Sequence, residues 1–234
     1  MLFLKIKDNL KYRAYDLSWD FDSFLRFVYW ICVQSKIIDA VDKNTDKLTA
    51  KEINQVLEKL WGKKLGQDNS KEAITVNWVY AALTDFNGRL QARDIVRLLL
   101  HSAHYGLDNQ ELFENWQKTR LLPHQAISQS ITPCSVKKVD EAKVEYPLFK
   151  QWASKIAQFS ADKRKVPFAP EQLEMEPKTI EILKEIGVIY EDKEINESER
   201  FYIPEIFRTG LGFTYADRGR KRILVLKRKA LKTM

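Results

Sequence analysis

His101 and His104 stand three residues apart near the end of a helical run, a spacing at which two imidazoles can share one metal ion. A metal site needs a third ligand, and none follows at a usable spacing. A helix C-terminus favours imidazolium in any case, so the pair reads as helix-end chemistry and no metal is expected. His124 follows Pro123 in a connecting segment, and neither a nucleophile nor an orienting acid can be assigned to it. Cys32 and Cys134 lie far apart in apolar or mixed surroundings and read as reduced, buried small hydrophobes. The chain contains no G-x-x-x-x-G-K-[ST], the loop whose backbone N–H groups wrap phosphates while its lysine reaches the β and γ oxygens. It also has no strand ending in paired acids that could hold Mg²⁺. No catalytic residue and no cofactor are therefore expected, and the chain by itself should not hydrolyse ATP.

The other chemistry in reach is electrostatic. The formal charge is +7, and the segment 218–234 carries eight cations and no acid, which leaves residues 1–217 at −1. Arg218, Arg220, Lys221, Arg222, Lys227, Arg228 and Lys229 could neutralise several phosphates, or dock on an acidic partner. A solvated end that keeps the chain dispersed explains them equally well. Six tryptophans (Trp19, Trp30, Trp61, Trp78, Trp116 and Trp152) could form a base-stacking platform. Their spacing, about one per successive helix, fits one large anchor per core-facing helix better.

The elements that must position these residues are mostly helical. With 44% apolar residues and 12% aromatics over 234 residues, the chain can bury a real core and has room for two modules. The apolar stretch 21–33 carries Asp22 and Arg26 and is too short for a membrane span, and the start MLFLKIKDNL is charged too early for a secretory signal. A cytoplasmic protein with no membrane partner is the expectation. Residues 2–7 read as a short strand. Helical periodicity then predicts a helix over 21–41 behind Ser18 or Asp20. Thr49 with Glu52 forms a capping box that opens a helix to Trp61, closed by Gly62. Further helices are expected over 75–83, ending in the turn Asp85-Phe86-Asn87-Gly88, and over 93–105, ending at Gly106. A short helix follows Asp108, and Pro123 opens another. Ser135 is expected to cap a separate helix, Pro147 to start one over 148–159, and Pro177 to start one over 179–186. Strands are expected at 188–190, 201–203 and 223–226. Helix, short helix, helix and then a strand pair is the order of a winged helix. The fold class is therefore mainly α. A helical lid-like bundle over 1–134 precedes a winged-helix domain with a small antiparallel sheet over 135–234.

Several segments carry a family resemblance. The phrase NGRLQARDIVRLLLHSA, from Asn87 to Ala103, resembles the turn and helix of the lid subdomain in bacterial STAND-like and AAA-type P-loop ATPases. A tryptophan-bearing helix precedes it there, as Trp78 does here. SVKKVDEAKVEYPLFKQW is similar to the link between lid and winged helix, and ILKEIGVIY with RFYIPEIFRTGLGF is similar to the terminal segment. LFLKIKDNL is similar to the last strand of the ATPase core. The resemblance implies a chain without its nucleotide-binding core, either a fragment of a longer protein or a split subunit. It implies that Arg93 senses the γ-phosphate through charge-assisted contact; on the residues alone, Arg93 could equally pair with Asp85 or Asp94 or face water. It also implies a non-enzymatic regulatory or assembly role in signalling or defence, with a P-loop ATPase core or identical subunits as partner.

DNA binding by the winged helix is opposed by its charges. The segment 191–199 holds five acids and one lysine, and 177–186 offers Lys178 and Lys184 against Glu181 and Glu185. Such a wing repels a duplex, so protein docking is preferred. Nucleic-acid binding through the basic tail is the alternative.

Overall fold

A computed structural model describes residues 19–41, 47–67, 69–113, 120–194, 197–216 and 223–232. The expected strand at 2–7, Trp116, and the tail cations Arg218, Arg220, Lys221 and Arg222 lie outside these residues. Within them the protein is mainly helical, with a few two-residue strands.

Local signals place the first helices. Asp20 caps α1 (Phe21–Gln34) by accepting from the Ser23 amide at 2.8 Å, and α1 buries Phe24, Leu25, Val28, Tyr29 and Cys32. The helix stops at Gln34, short of the expected 41, where Lys36 turns to positive φ and the amides of Ile37 and Ile38 fold back on the Cys32 carbonyl. The Thr49–Glu52 capping box opens α2 (Ala50–Trp61). Gly62 closes it at φ +74, and the Arg120 guanidinium lies directly under that glycine, so any Cβ would overlap it. Arg120 donates to the carbonyls of Lys64 (2.7 Å) and Gly66 (3.0 Å), tying the end of α2 to the chain that leads into α6. Helix α3 (Thr75–Leu83) is buried on most sides. Helix α4 (Ala92–Asp108) runs through Gly106, which costs about 1 kcal/mol relative to alanine without breaking the ladder. The short α5 is Gln110–Phe113.

Helix α6 (His124–Glu145) is the spine of the molecule. It packs along α4 and also against α7 (Pro147–Ile156) and the short α9 (Glu205–Arg208). Pro133 sits inside it, and Ser135, expected as a cap, is an interior residue. The Ser135 hydroxyl accepts from the Gly210 amide at 2.8 Å, and a Cβ on Gly210 would lie 2.4 Å from the Ser135 carbonyl oxygen. The serine is thus used for a close helix-to-loop contact. The 134/135 division falls within this continuous helix. One apolar core runs from Phe24 through Cys134, Val139 and Trp152 to Phe213 and Ile223.

After α7 come β1 (Lys165–Val166), a 3₁₀ turn at Pro170–Leu173 and α8 (Pro177–Glu185). Strand β2 (Tyr190–Glu191) pairs antiparallel with β3 (Phe201–Tyr202), and Phe168 bridges Phe201 antiparallel from the other side. A parallel pair, β1 with β4 (Thr214–Tyr215), was not foreseen by an all-antiparallel sheet. The expected strand 223–226 is instead helical: it begins α10 (Ile223–Leu231). Among the described residues no helix is long and apolar enough to cross a membrane.

Candidate functional site

The residues that open α4 meet α6 in a charge network. Asp94 is fully buried and accepts from Lys138 Nζ at 2.8 Å, with Arg97 at 3.4 Å. Glu141 takes Arg97 at 2.6 Å and Arg93 at 3.1 Å, and Gln91 bridges Lys138 (2.7 Å) and Arg93 (3.1 Å). Arg93, half exposed, therefore pairs with Glu141 rather than with Asp85 or Asp94. Each buried charge here has an opposite neighbour, the arrangement that offsets desolvation.

The turn 85–88 has an equally definite task. Asp85 accepts from the amides of Asn87 (2.8 Å) and Arg89 (2.9 Å), which shapes the loop. Asn87 Nδ2 donates to the Glu185 carbonyl at 2.7 Å, and the Phe86 amide donates to the Gly187 carbonyl at 3.0 Å. The turn therefore closes the C-terminus of α8. Gly187, at φ +74, leaves room for the Asp85 carboxylate, which a Cβ would approach to 2.6 Å. Burial raises the Asp85 pKa, opposed by its backbone hydrogen bonds and by Lys227.

Lys227, expected as a phosphate-facing cation, is fully buried in α10. Its ammonium donates to the carbonyls of Thr84 and Asp85 and sits 4.7 Å from the centre of the Phe86 ring. Burial pushes its pKa down to about 7, against the pull of Asp85 and Glu205. Lys229 turns to the acidic segment, where it pairs with Glu194 and with both oxygens of Asp192, at 3.2 and 3.3 Å. Its hydrogen bond to Glu194 comes first among the causes that raise its pKa. Arg228 is the outward cation of α10, and Lys232 is exposed just beyond its end. Two of the seven proposed phosphate contacts are thus engaged inside the protein.

The acidic segment is itself partly neutralised. Glu191 accepts from Lys184 and lies 2.7 Å from Arg200, and the Lys184 hydrogen bond is the first cause of its lowered pKa. On α8 the exposed residues include Lys178, Glu181 and Glu185. His101 and His104 share α4, and burial, then His104, lowers the His101 pKa. No cluster of three potential metal ligands occurs among the described residues. Of the tryptophans, Trp61 and Trp152 are buried, Trp19 and Trp78 pack on the core, and Trp30 is half exposed, stacked on Phe27.

Sequence reasoning did not anticipate an apolar groove of about 470 Å³ between α1, α4 and α5, lined by Ile31, Ile37, Leu99, Leu107 and Phe113 among others. It also missed the burial of Lys227, although a signal existed. Ile223, Leu226, Lys227 and Ala230 have helical spacing, and a lysine at one core-facing position hides the pattern. No protein-family model, curated protein or solved structure matches the chain.

Proposed function

We propose that the chain is a non-catalytic regulatory or assembly module, a helical lid-like region followed by a winged-helix unit, similar to the C-terminal part of a P-loop ATPase. One observation carries the reading. The order α7, β1, 3₁₀ turn, α8, β2, acidic segment, β3, with Phe168 bridging Phe201 and β2 paired to β3, is that of helix, strand, helix, helix, strand, wing, strand. Its wing is acidic and bound to Lys184, Arg200 and Lys229, and α8 sets Glu181 and Glu185 against Lys178 and Lys184, so it offers no net positive face. A unit so charged recognises protein better than a phosphate backbone. The partner is either a P-loop ATPase core or further copies of the chain. Arg93 belongs to the same reading: half exposed, it can exchange Glu141 for a phosphate presented by such a core.

The test is binding of fluorescent duplex and single-stranded DNA at about 50 and 200 mM salt. No binding at the lower salt is expected. Tight binding that collapses at the higher salt would replace this reading with nucleic-acid recognition by Arg218, Arg220, Lys221, Arg222 and Arg228.

A further inference from the structure

We propose that α10 is an internal, displaceable ligand, and that the slot it fills accepts a basic amphipathic helix from a partner when α10 leaves. The slot has an apolar floor and an electronegative rim. Phe86, Tyr190 and Tyr202 form the floor under Leu226 and Ala230, a small cluster distinct from the main core. The carbonyls of Thr84 and Asp85 make one side of the rim, and the carboxylates of Asp192 and Glu194 make the other. Its occupant defines what it recognises: an apolar residue, a lysine directly after it for the carbonyls, and a second lysine two positions further on for the acids. The outer face of α10 presents Val225 and Arg228 to solvent.

Three physical features make this helix easy to release. It has nine residues, too few to persist alone in water. Its main anchor is an ammonium stripped of water, and the cost of that desolvation offsets much of what the hydrogen bonds return. Past its first two residues, Ile223 and Leu224, which pack on the main core, its apolar contacts through Leu226 and Ala230 lie in the small cluster, so the rest of the helix can leave without opening the interior around α6. The elements it clasps, the turn that closes α8 and the base of the acidic wing, are the recognition elements of the docking unit. The slot therefore sits where an incoming helix would be read. This inference rests on the docking reading above.

Two buried groups serve as reporters in the full chain. Lys227 reports departure of α10 through acylation by an amine reagent, scored by mass spectrometry against the exposed Lys232. Cys134, fully buried in α6, reports global opening through thiol labelling. Lys227 is expected to be labelled while Cys134 stays protected. Replacing one charge-assisted contact by repulsion in Lys229→Glu should speed Lys227 labelling by about tenfold or more, with Cys134 unchanged. A fluorescent peptide of residues 223–232 should then bind the Lys229→Glu chain and bind the parent chain more weakly. The same peptide carrying glutamate at positions 227 and 229 should bind neither. Parallel labelling of Lys227 and Cys134 in both chains would overturn the proposal, as would failure of the peptide to bind the Lys229→Glu chain. DNA binding by the parent chain would instead end the docking reading, and leaves the labelling result intact.

Discussion

Two regions of this protein bury charge in opposite ways. Between α4 and α6, Asp94 and Glu141 meet Lys138, Arg97 and Arg93, so anions and cations are matched within one interface. Between α3 and α10, Lys227 is held by two carbonyls and a ring face, with Asp85 and Glu205 acting on it through space. The first arrangement is fragile to loss of a partner. The second survives loss of its charge and answers to pH. A matched network locks two helices together, whereas a desolvated lysine makes a joint that can be undone.

The sharpest way to break the contrast is Asp94→Ala, which leaves Lys138 and Arg97 facing each other without their shared anion. A loss of about 3–5 kcal/mol is expected in urea unfolding, the cost of a buried charge left uncompensated. Gly210→Ala attacks the same spine from the other side, since its methyl would meet the Ser135 carbonyl. Overpacking should lower stability by up to about 3 kcal/mol, with the loss shown by the midpoint of denaturation. Lys227 sharpens the other half. Its folded pKa of about 7 lies below the ordinary lysine value, so above pH 7 the unfolded chain binds the extra proton and stability rises with pH. Between pH 7 and 9 the gain should be about 2 kcal/mol, and it should be missing in Lys227→Met, whose stability at pH 7 should equal or exceed the parent's. Melting curves at the two pH values decide it. The range stops at pH 9 because burial pushes Cys32 up to about 11 and Cys134 up to about 12, and these thiols then oppose the trend. The smallest effect belongs to Arg93→Gln. Half exposed beside Glu141, Arg93 should cost under about 1 kcal/mol, measured by the same urea titration.

Much of the helical plan was legible because its signals are local. Asp20, the Thr49–Glu52 box, Gly62 and Pro177 each satisfy or terminate a helix end through groups within four residues, and each appears where its spacing predicts. Ser135 was misread for the complementary reason. Its capping preference is real, yet the hydroxyl is claimed by Gly210, which is 75 residues away. The run Ile223–Leu226 looks like a strand because β-branched and apolar residues crowd it. It is a helix because Leu226, Lys227 and Ala230 must face the turn and the wing together. The site was less visible still. Arg93 and Asp94 announce ion pairing, but Glu141 and Lys138, their partners across the interface, lie more than 40 residues further on in α6.

The amino-acid order alone determined what depends on neighbours along the chain: a mainly helical protein, where many of its helices begin, a turn at 85–88, and the presence of a basic and an acidic segment. Tertiary structure alone decided which charges are spent internally. Lys227 and Lys229 differ little as residues in a list. One is dehydrated against two carbonyls and the other neutralises the wing, because burial and field are properties of what surrounds a side chain, and those surroundings come from residues far away in the chain.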